Sequence, residues 1–322
     1  MNSIVAVSDL RKRFNLEAGF FSRFGRFVYA VNGVSFTIGE NESFGLVGES
    51  GCGKTTTARL LVRMYESDGG KISYRGADIK NFGRAELSRY RAKVKYVFQD
   101  PARSLDPRMS VYDVLVSGLR CSALWPGKKQ AREKAAAILE EAGLAAGDLE
   151  RRPAEFSGGQ RQRISIARGL IMEPELLVCD EVVSALDVSI QGQILNLLLD
   201  LRGRRKLSFL FIAHDLKVAS WFCDRIAVMY KGEIMESAPA AGLYKNARHP
   251  YTRLLFSAAP NALQADAPRA GAFTAFKGEV RTALAASSGC AFAERCPFAE
   301  SRCLAGKPEL SGDGGHLVRC FL

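Results

Sequence analysis

No stretch of this 322-residue sequence approaches the ~18–20 uninterrupted apolar residues that crossing a bilayer requires. The longest apolar runs, such as residues 207–213 and 226–230, are the size of single strands. The first nine residues lack a basic segment followed by an apolar one, so no secretory signal is expected. The chain is therefore expected in the cytoplasm, with any membrane link supplied by a partner. Also absent are a run of five like charges, an arginine-rich tail and an internal repeat. The net charge of +11 is thus read as a solvated basic surface, and no nucleic-acid partner is expected.

What is present is ordinary for a soluble globular protein: 47% hydrophobic and 25% charged residues, in a length that suits about two domains. Residues 1 to about 240 are dense in punctuated apolar segments, whereas 260–288 are rich in Ala, Pro and Gly and read as a linker. Four of the eight cysteines are dispersed, at Cys52, Cys121, Cys179 and Cys223. The others, Cys290, Cys296, Cys303 and Cys320, cluster in the tail with spacing C-x5-C-x6-C-x16-C. That spacing is neither a zinc ribbon nor the ferredoxin pattern. A cytosolic chain rarely uses structural disulfides, so the cluster points to a metal site. Four thiolates suit either an iron–sulfur cluster or tetrahedral Zn²⁺.

Hydrophobic periodicity gives a coarse architecture. Ser43-Phe44-Gly45-Leu46-Val47 is a short apolar strand entering a Gly-rich loop, and a helix is expected over 54–64. Leu176-Leu177-Val178-Cys179 and residues 207–213 are continuous apolar runs, as strands buried on both faces require. Ile190, Ile194, Leu197, Leu198 and Leu201 follow the spacing of an amphipathic helix. Strands alternating with helices predict an α/β domain with a largely parallel sheet.

Two patterns carry chemistry. Gly48-Glu49-Ser50-Gly51-Cys52-Gly53-Lys54-Thr55 fits the phosphate-loop spacing G-x-x-x-x-G-K-[ST]. Its glycines let backbone N–H groups curl toward phosphate oxygens, and the helix that follows offers its positive end to the same anion. Lys54 brings a compact charge to the β- and γ-phosphates, and the Thr55 hydroxyl suits Mg²⁺. Thr56 completes the expected nucleotide-binding set. The second pattern is Asp180-Glu181, directly after the strand 176–179. Asp180 is placed to hold the Mg²⁺ shell, and Glu181 to act on the attacking water as general base.

Further motifs resemble those of ATP-binding cassette proteins. Ser157-Gly158-Gly159-Gln160, followed by Arg161-Gln162-Arg163, resembles the family's signature loop, with Phe156 where leucine is commoner. Gln99, after an apolar strand over 94–98, matches the glutamine loop. Ser184-Ala185-Leu186-Asp187 matches the loop after the acidic pair, and His214 matches the switch histidine. All of these motifs appear in the family's order over roughly residues 30–235. The resemblance implies a cassette fold: a phosphate-loop parallel-sheet core, an antiparallel β subdomain, a helical signature subdomain and here a small cysteine-rich extension. It implies a dimer in which each ATP is sandwiched between one chain's phosphate loop and the other's Ser157–Gln160 loop, with Asp187 nearby. It further implies that Gln99 touches Mg²⁺ and water, that His214 contacts the γ-phosphate, and that an aromatic residue stacks on adenine. Phe14 is the chosen candidate, with Tyr29 and Phe20, Phe21, Phe24 and Phe27 as alternatives.

Three stretches narrow the resemblance to the ATPases of oligopeptide, dipeptide and nickel importers. They are Phe98-Gln99-Asp100-Pro101 with Ser104-Leu105-Asp106-Pro107-Arg108, Cys179-Asp180-Glu181 continuing to Gln191, and His249-Pro250-Tyr251-Thr252-Arg253-Leu254-Leu255. Val182 stands where proline is usual. The branch implies a nucleotide-binding domain over 1–245 and a C-terminal extension over 246–322 whose four cysteines hold a [4Fe–4S] cluster. It implies residence on the cytoplasmic face of the inner membrane, two membrane-spanning permease subunits, a second ATPase or a copy of this chain, and an extracytoplasmic binding protein. A peptide cargo is the first expectation, and nickel or another small solute the alternative. Cassette ATPases outside transport usually carry two cassettes or a long coiled-coil insertion, and neither is present.

Overall fold

The computed structural model of the chain describes residues 3–15, 27–257 and 288–322. It divides into two compact units. One is built from Glu40–Glu42 and Asn81–Leu210, the other from the described parts of Asn2–Gly39, Ser43–Lys80 and Phe211–Leu322. The expected linker at 260–288 lies, but for its last residue, outside the described residues.

The second unit holds an antiparallel four-stranded sheet in the order Phe27–Gly39, Ser3–Asn15, Gly69–Tyr74, Ala77–Asp78. Beside it runs the sheet that carries the phosphate loop. Ser43–Val47 is buried at every position and pairs in parallel with Arg225–Tyr230. Arg225–Tyr230 pairs antiparallel with Glu233–Pro239, which pairs with His316–Val318, which pairs with Ser311–Asp313. The last residues of the chain therefore extend the sheet that leads into the phosphate loop. The helix after that loop runs over Lys54–Leu61 rather than to 64. Arg63 takes a left-handed φ of 54°, which a continuing right-handed helix cannot accommodate.

In the first unit Val94–Val97 pairs in parallel with Leu176–Asp180, whose five residues are all buried. Around this pair lie the helices Arg84–Lys93, Val111–Arg120, Lys128–Glu141, Gly158–Leu170 and Val188–Arg205. The last extends past the expected 190–201 and ends where Lys206 turns left-handed. Ile194, Leu198 and Leu201 form its buried stripe together with Leu195, while Ile190 and Leu197 are only half-buried. The strand Ser208–Ala213, buried throughout, carries the chain from one unit into the other. Among the described residues no helix is long and apolar enough to cross a membrane.

Candidate functional site

The loop 48–53 is shaped by what crowds it. Gly53 has φ 109°, and a Cβ there would lie 2.1 Å from the Ala30 carbonyl oxygen, so only glycine fits. Lys54 follows, 4% exposed, and its ammonium donates to the carbonyls of Gly48 at 2.7 Å and Glu49 at 3.0 Å. The charge is thereby held at the mouth of the loop. The helix Lys54–Leu61, which bears Thr55 and Thr56, has no side-chain cap on its first turn. Its N-terminus keeps the dipole and N–H geometry that bind an anion.

Glu49 is held at both ends within the same unit. Its N–H donates to the Tyr251 hydroxyl at 3.0 Å, and its carboxylate accepts from Arg295 at 2.7 and 3.0 Å. His214 sits exposed just past the strand Ser208–Ala213, as expected.

The acidic pair lies in the other unit. Asp180 ends the strand Leu176–Asp180 and is 3% exposed, with its carboxylate accepting a short hydrogen bond from the Tyr96 hydroxyl. Glu181 has φ 49°, a left-handed backbone that a glutamate adopts only when its surroundings force it. The Ser184 hydroxyl and N–H both donate to the Glu181 carbonyl, closing the strained turn. Gln99 donates to the Glu181 carboxylate at 2.9 Å. Gln99 thus contacts Glu181, which directly follows Asp180 at the end of the strand. Tyr96 is a participant that motif reading missed; its only signal is an aromatic hydroxyl three residues before Gln99.

The signature loop opens the helix Gly158–Leu170 with a reciprocal cap. Ser157 accepts from the Gln160 N–H at 3.3 Å, and the Gln160 side chain accepts from the Ser157 N–H at 2.9 Å. Gly159 faces Ile190 so closely that a Cβ would meet its methyl at 2.6 Å. Asp187 occupies the N-cap position of Val188–Arg205 but makes no side-chain cap.

The Phe14 ring stands edge-on to Tyr65 at 5.5 Å with Lys12 above it, inside the antiparallel sheet. Tyr29 precedes Ala30, whose carbonyl borders Gly53. Phe27 lies under the Arg13 guanidinium, and Phe20, Phe21 and Phe24 fall outside the described residues.

Cys290, Cys296, Cys303 and Cys320 line one cavity of about 20 Å³ together with His249, Phe292 and Phe298. Burial pushes the thiols of Cys290 and Cys296 up, so a nearby cation would favour their thiolate forms. As they stand among the described residues, no three or more Cys, His, Asp or Glu side chains are arranged to hold a metal ion.

Comparison with known proteins identifies the family. Residues 31–184 match the family described as ABC transporter, and residues 235–303 match the C-terminal region of oligopeptide/dipeptide transporters. The chain is 39% identical to the oligopeptide transport ATP-binding protein OppF of Salmonella typhimurium over 320 residues, 99% of this chain and 96% of that one. It is 42% identical over 325 residues to a protein of Sinorhizobium fredii described as a "Probable peptide ABC transporter ATP-binding protein", covering 100% of this chain and 90% of that one. Among solved structures, a dimeric ATP-binding cassette in a post-hydrolysis state with ADP and Pi superposes with a TM-score of 0.64 at 26% identity, covering 74% of this chain and 99% of that one.

Proposed function

The chain belongs to the ABC transporter family of ATP-binding proteins, and from that premise we propose that it is the ATP-hydrolysing subunit of an importer of oligopeptides or dipeptides. The observation that carries the cargo class is the extent of the likeness. It runs through the C-terminal region, where residues 235–303 match a segment particular to oligopeptide and dipeptide transporters. On the same reading the chain divides into a nucleotide-binding domain over 1–245 and an extension over 246–322; the family matches themselves cover 31–184 and 235–303.

The residue roles follow from the chemistry. Residues 48–56 cradle the phosphates, with Lys54 supplying charge to the transferred group. Thr55, Asp180 and Gln99 would hold Mg²⁺, since a hydroxyl, a buried carboxylate and an amide oxygen are the hard donors it prefers; bound there, it neutralises developing charge on the phosphates. Glu181 takes the proton of the attacking water, positioned by Gln99, which donates to it at 2.9 Å. His214 faces the γ-phosphate. Ser157, Gly158, Gly159 and Gln160 offer a second helix N-terminus to a nucleotide held by a partner cassette, with Asp187 beside it. Tyr29 is preferred over Phe14 for adenine, because the Phe14 ring is taken up by Tyr65.

The four cysteines fit a metal group by donor type and by sharing one cavity. Four thiolates suit either a [4Fe–4S] cluster or tetrahedral Zn²⁺. Brown, iron- and sulfide-bearing protein from an anaerobic preparation supports the cluster, and colourless protein with stoichiometric zinc supports the alternative.

The proposed partners are two polytopic permease subunits, an extracytoplasmic binding protein reached through them, and a second cassette ATPase or a copy of this chain. The protein then acts at the cytoplasmic face of the inner membrane. Affinity purification from gently solubilised native membranes tests this. Two polytopic subunits and a cassette ATPase should be recovered. Recovery from the soluble fraction with ribosomes or DNA would overturn the transport assignment.

A further inference from the structure

Glu49 presents an electrostatic problem. It is a carboxylate inside a loop whose geometry is built to bind a polyanion. An uncompensated negative charge a few ångströms from a triphosphate is repulsive, and strongly so where water is partly excluded. The compensation comes from far along the chain. Arg295 grips the carboxylate through two parallel hydrogen bonds at 2.7 and 3.0 Å across 246 residues of sequence. This bidentate geometry is the strongest an arginine makes with a carboxylate. The pair is mostly sheltered, with side chains 18% and 28% exposed.

Arg295 is itself fixed by what surrounds it. It immediately precedes Cys296, in a tight turn where Ala293 N–H bonds the Cys290 carbonyl, Arg295 N–H the Phe292 carbonyl and Cys296 N–H the Ala293 carbonyl. Its guanidinium lies over the rings of Tyr230 and Phe292 at 5.6 and 5.9 Å. Phe292 in turn packs against Tyr251, whose hydroxyl accepts the Glu49 N–H. Both holds on Glu49, one on its carboxylate and one on its backbone, thus come from residues C-terminal to 245.

We propose that Arg295 is a positioning residue for the phosphate loop: it neutralises Glu49 and, with Tyr251, fixes the loop so that nucleotide affinity depends on the cysteine-bearing turn. This rests on the reading of residues 48–55 as the nucleotide-binding loop. No covalent step is involved, and Arg295 acts through Glu49 rather than on ATP.

The test is ATP binding by the full chain, measured by titration calorimetry, together with KM and kcat for hydrolysis. Arg295→Ala should raise the Kd for ATP by about tenfold, on the order of 1.4 kcal/mol, and raise KM more than it lowers kcat. Arg295→Lys, which keeps the charge but not the fork, should fall between the two. The deciding variant is Arg295→Ala combined with Glu49→Gln. If Arg295 serves to neutralise Glu49, removing that charge should recover most of the lost affinity. If Arg295 merely holds the tail together, the second substitution should recover nothing, and that result overturns the inference. Unchanged affinity in Arg295→Ala overturns it equally, while leaving the ATPase reading intact. Wild-type protein that binds no ATP, and matches Lys54→Ala in this, would overturn both.

Discussion

Glu181 is held at φ 49° with its carboxylate 2.9 Å from the Gln99 amide, after a strand that is buried throughout. Replacing only its charge should separate binding from turnover. Glu181→Gln is expected to bind ATP normally and to lose about 10²–10⁴-fold in kcat, the usual contribution of a general base; turnover at the wild-type rate would remove Glu181 from that role. Lys54→Ala should instead abolish measurable ATP binding at micromolar nucleotide. Tyr96 gives a subtler case. Its hydroxyl donates to a carboxylate that is 3% exposed, and hydrogen bonds to charged groups are worth about 1.5–3 kcal/mol. Tyr96→Phe should therefore cost about tenfold or more in kcat/KM, with a raised Mg²⁺ requirement because Asp180 is no longer aimed. An unchanged Mg²⁺ titration would show that the tyrosine only packs.

At the scale of the element, the helix Gly158–Leu170 separates a structural role from a functional one at a single position. Ser157 caps it, and loss of such a cap costs about 1 kcal/mol, so Ser157→Ala should lower the unfolding midpoint by a few degrees. Ser157→Asp keeps a good cap and even suits the positive end of the helix. It should leave thermal stability near wild type yet abolish ATP turnover, because a carboxylate now occupies the place offered to the partner's nucleotide. Stability and turnover falling together in both variants would argue that the loop is merely structural. Elements of this kind are readable from sequence because their cause is local. The fully buried Ser43–Val47 and Leu176–Asp180 strands lie where their apolar runs Phe44–Val47 and Leu176–Cys179 demand, and the helix after the phosphate loop begins at Lys54 as its motif requires. Its early end was not readable, since Arg63 takes a left-handed turn that its residue type does not favour.

At the scale of the whole molecule, legibility fails where chemistry depends on contacts distant in sequence. Arg295 and Tyr251 lie 246 and 202 residues from Glu49, and no spacing rule links them. The choice of aromatic for adenine was not readable for a related reason: several phenylalanines sit near one another in sequence, and spacing alone does not show that the Phe14 ring stands edge-on to Tyr65. Assembly, by contrast, can be argued from the inventory of one chain. It has one phosphate loop and one signature loop, each at a helix N-terminus suited to an anion. Beside Asp187, the N-cap residue that makes no side-chain cap, the apolar Val188 is 84% exposed. Two cassettes related by a twofold axis can offer the phosphate loop of each to the signature loop of the other, so ATP should hold the pair closed until it is cleaved. Glu181→Gln with ATP and Mg²⁺ is therefore expected to elute at twice the mass of its nucleotide-free form, and to return to that form when ADP replaces ATP. In a heterodimeric importer the doubled species should require the second ATPase subunit, which distinguishes the two modes of pairing. Stoichiometric ATP bound to a species that stays single even with that subunit present would overturn the sandwich arrangement, because the signature loop would then have no nucleotide to meet.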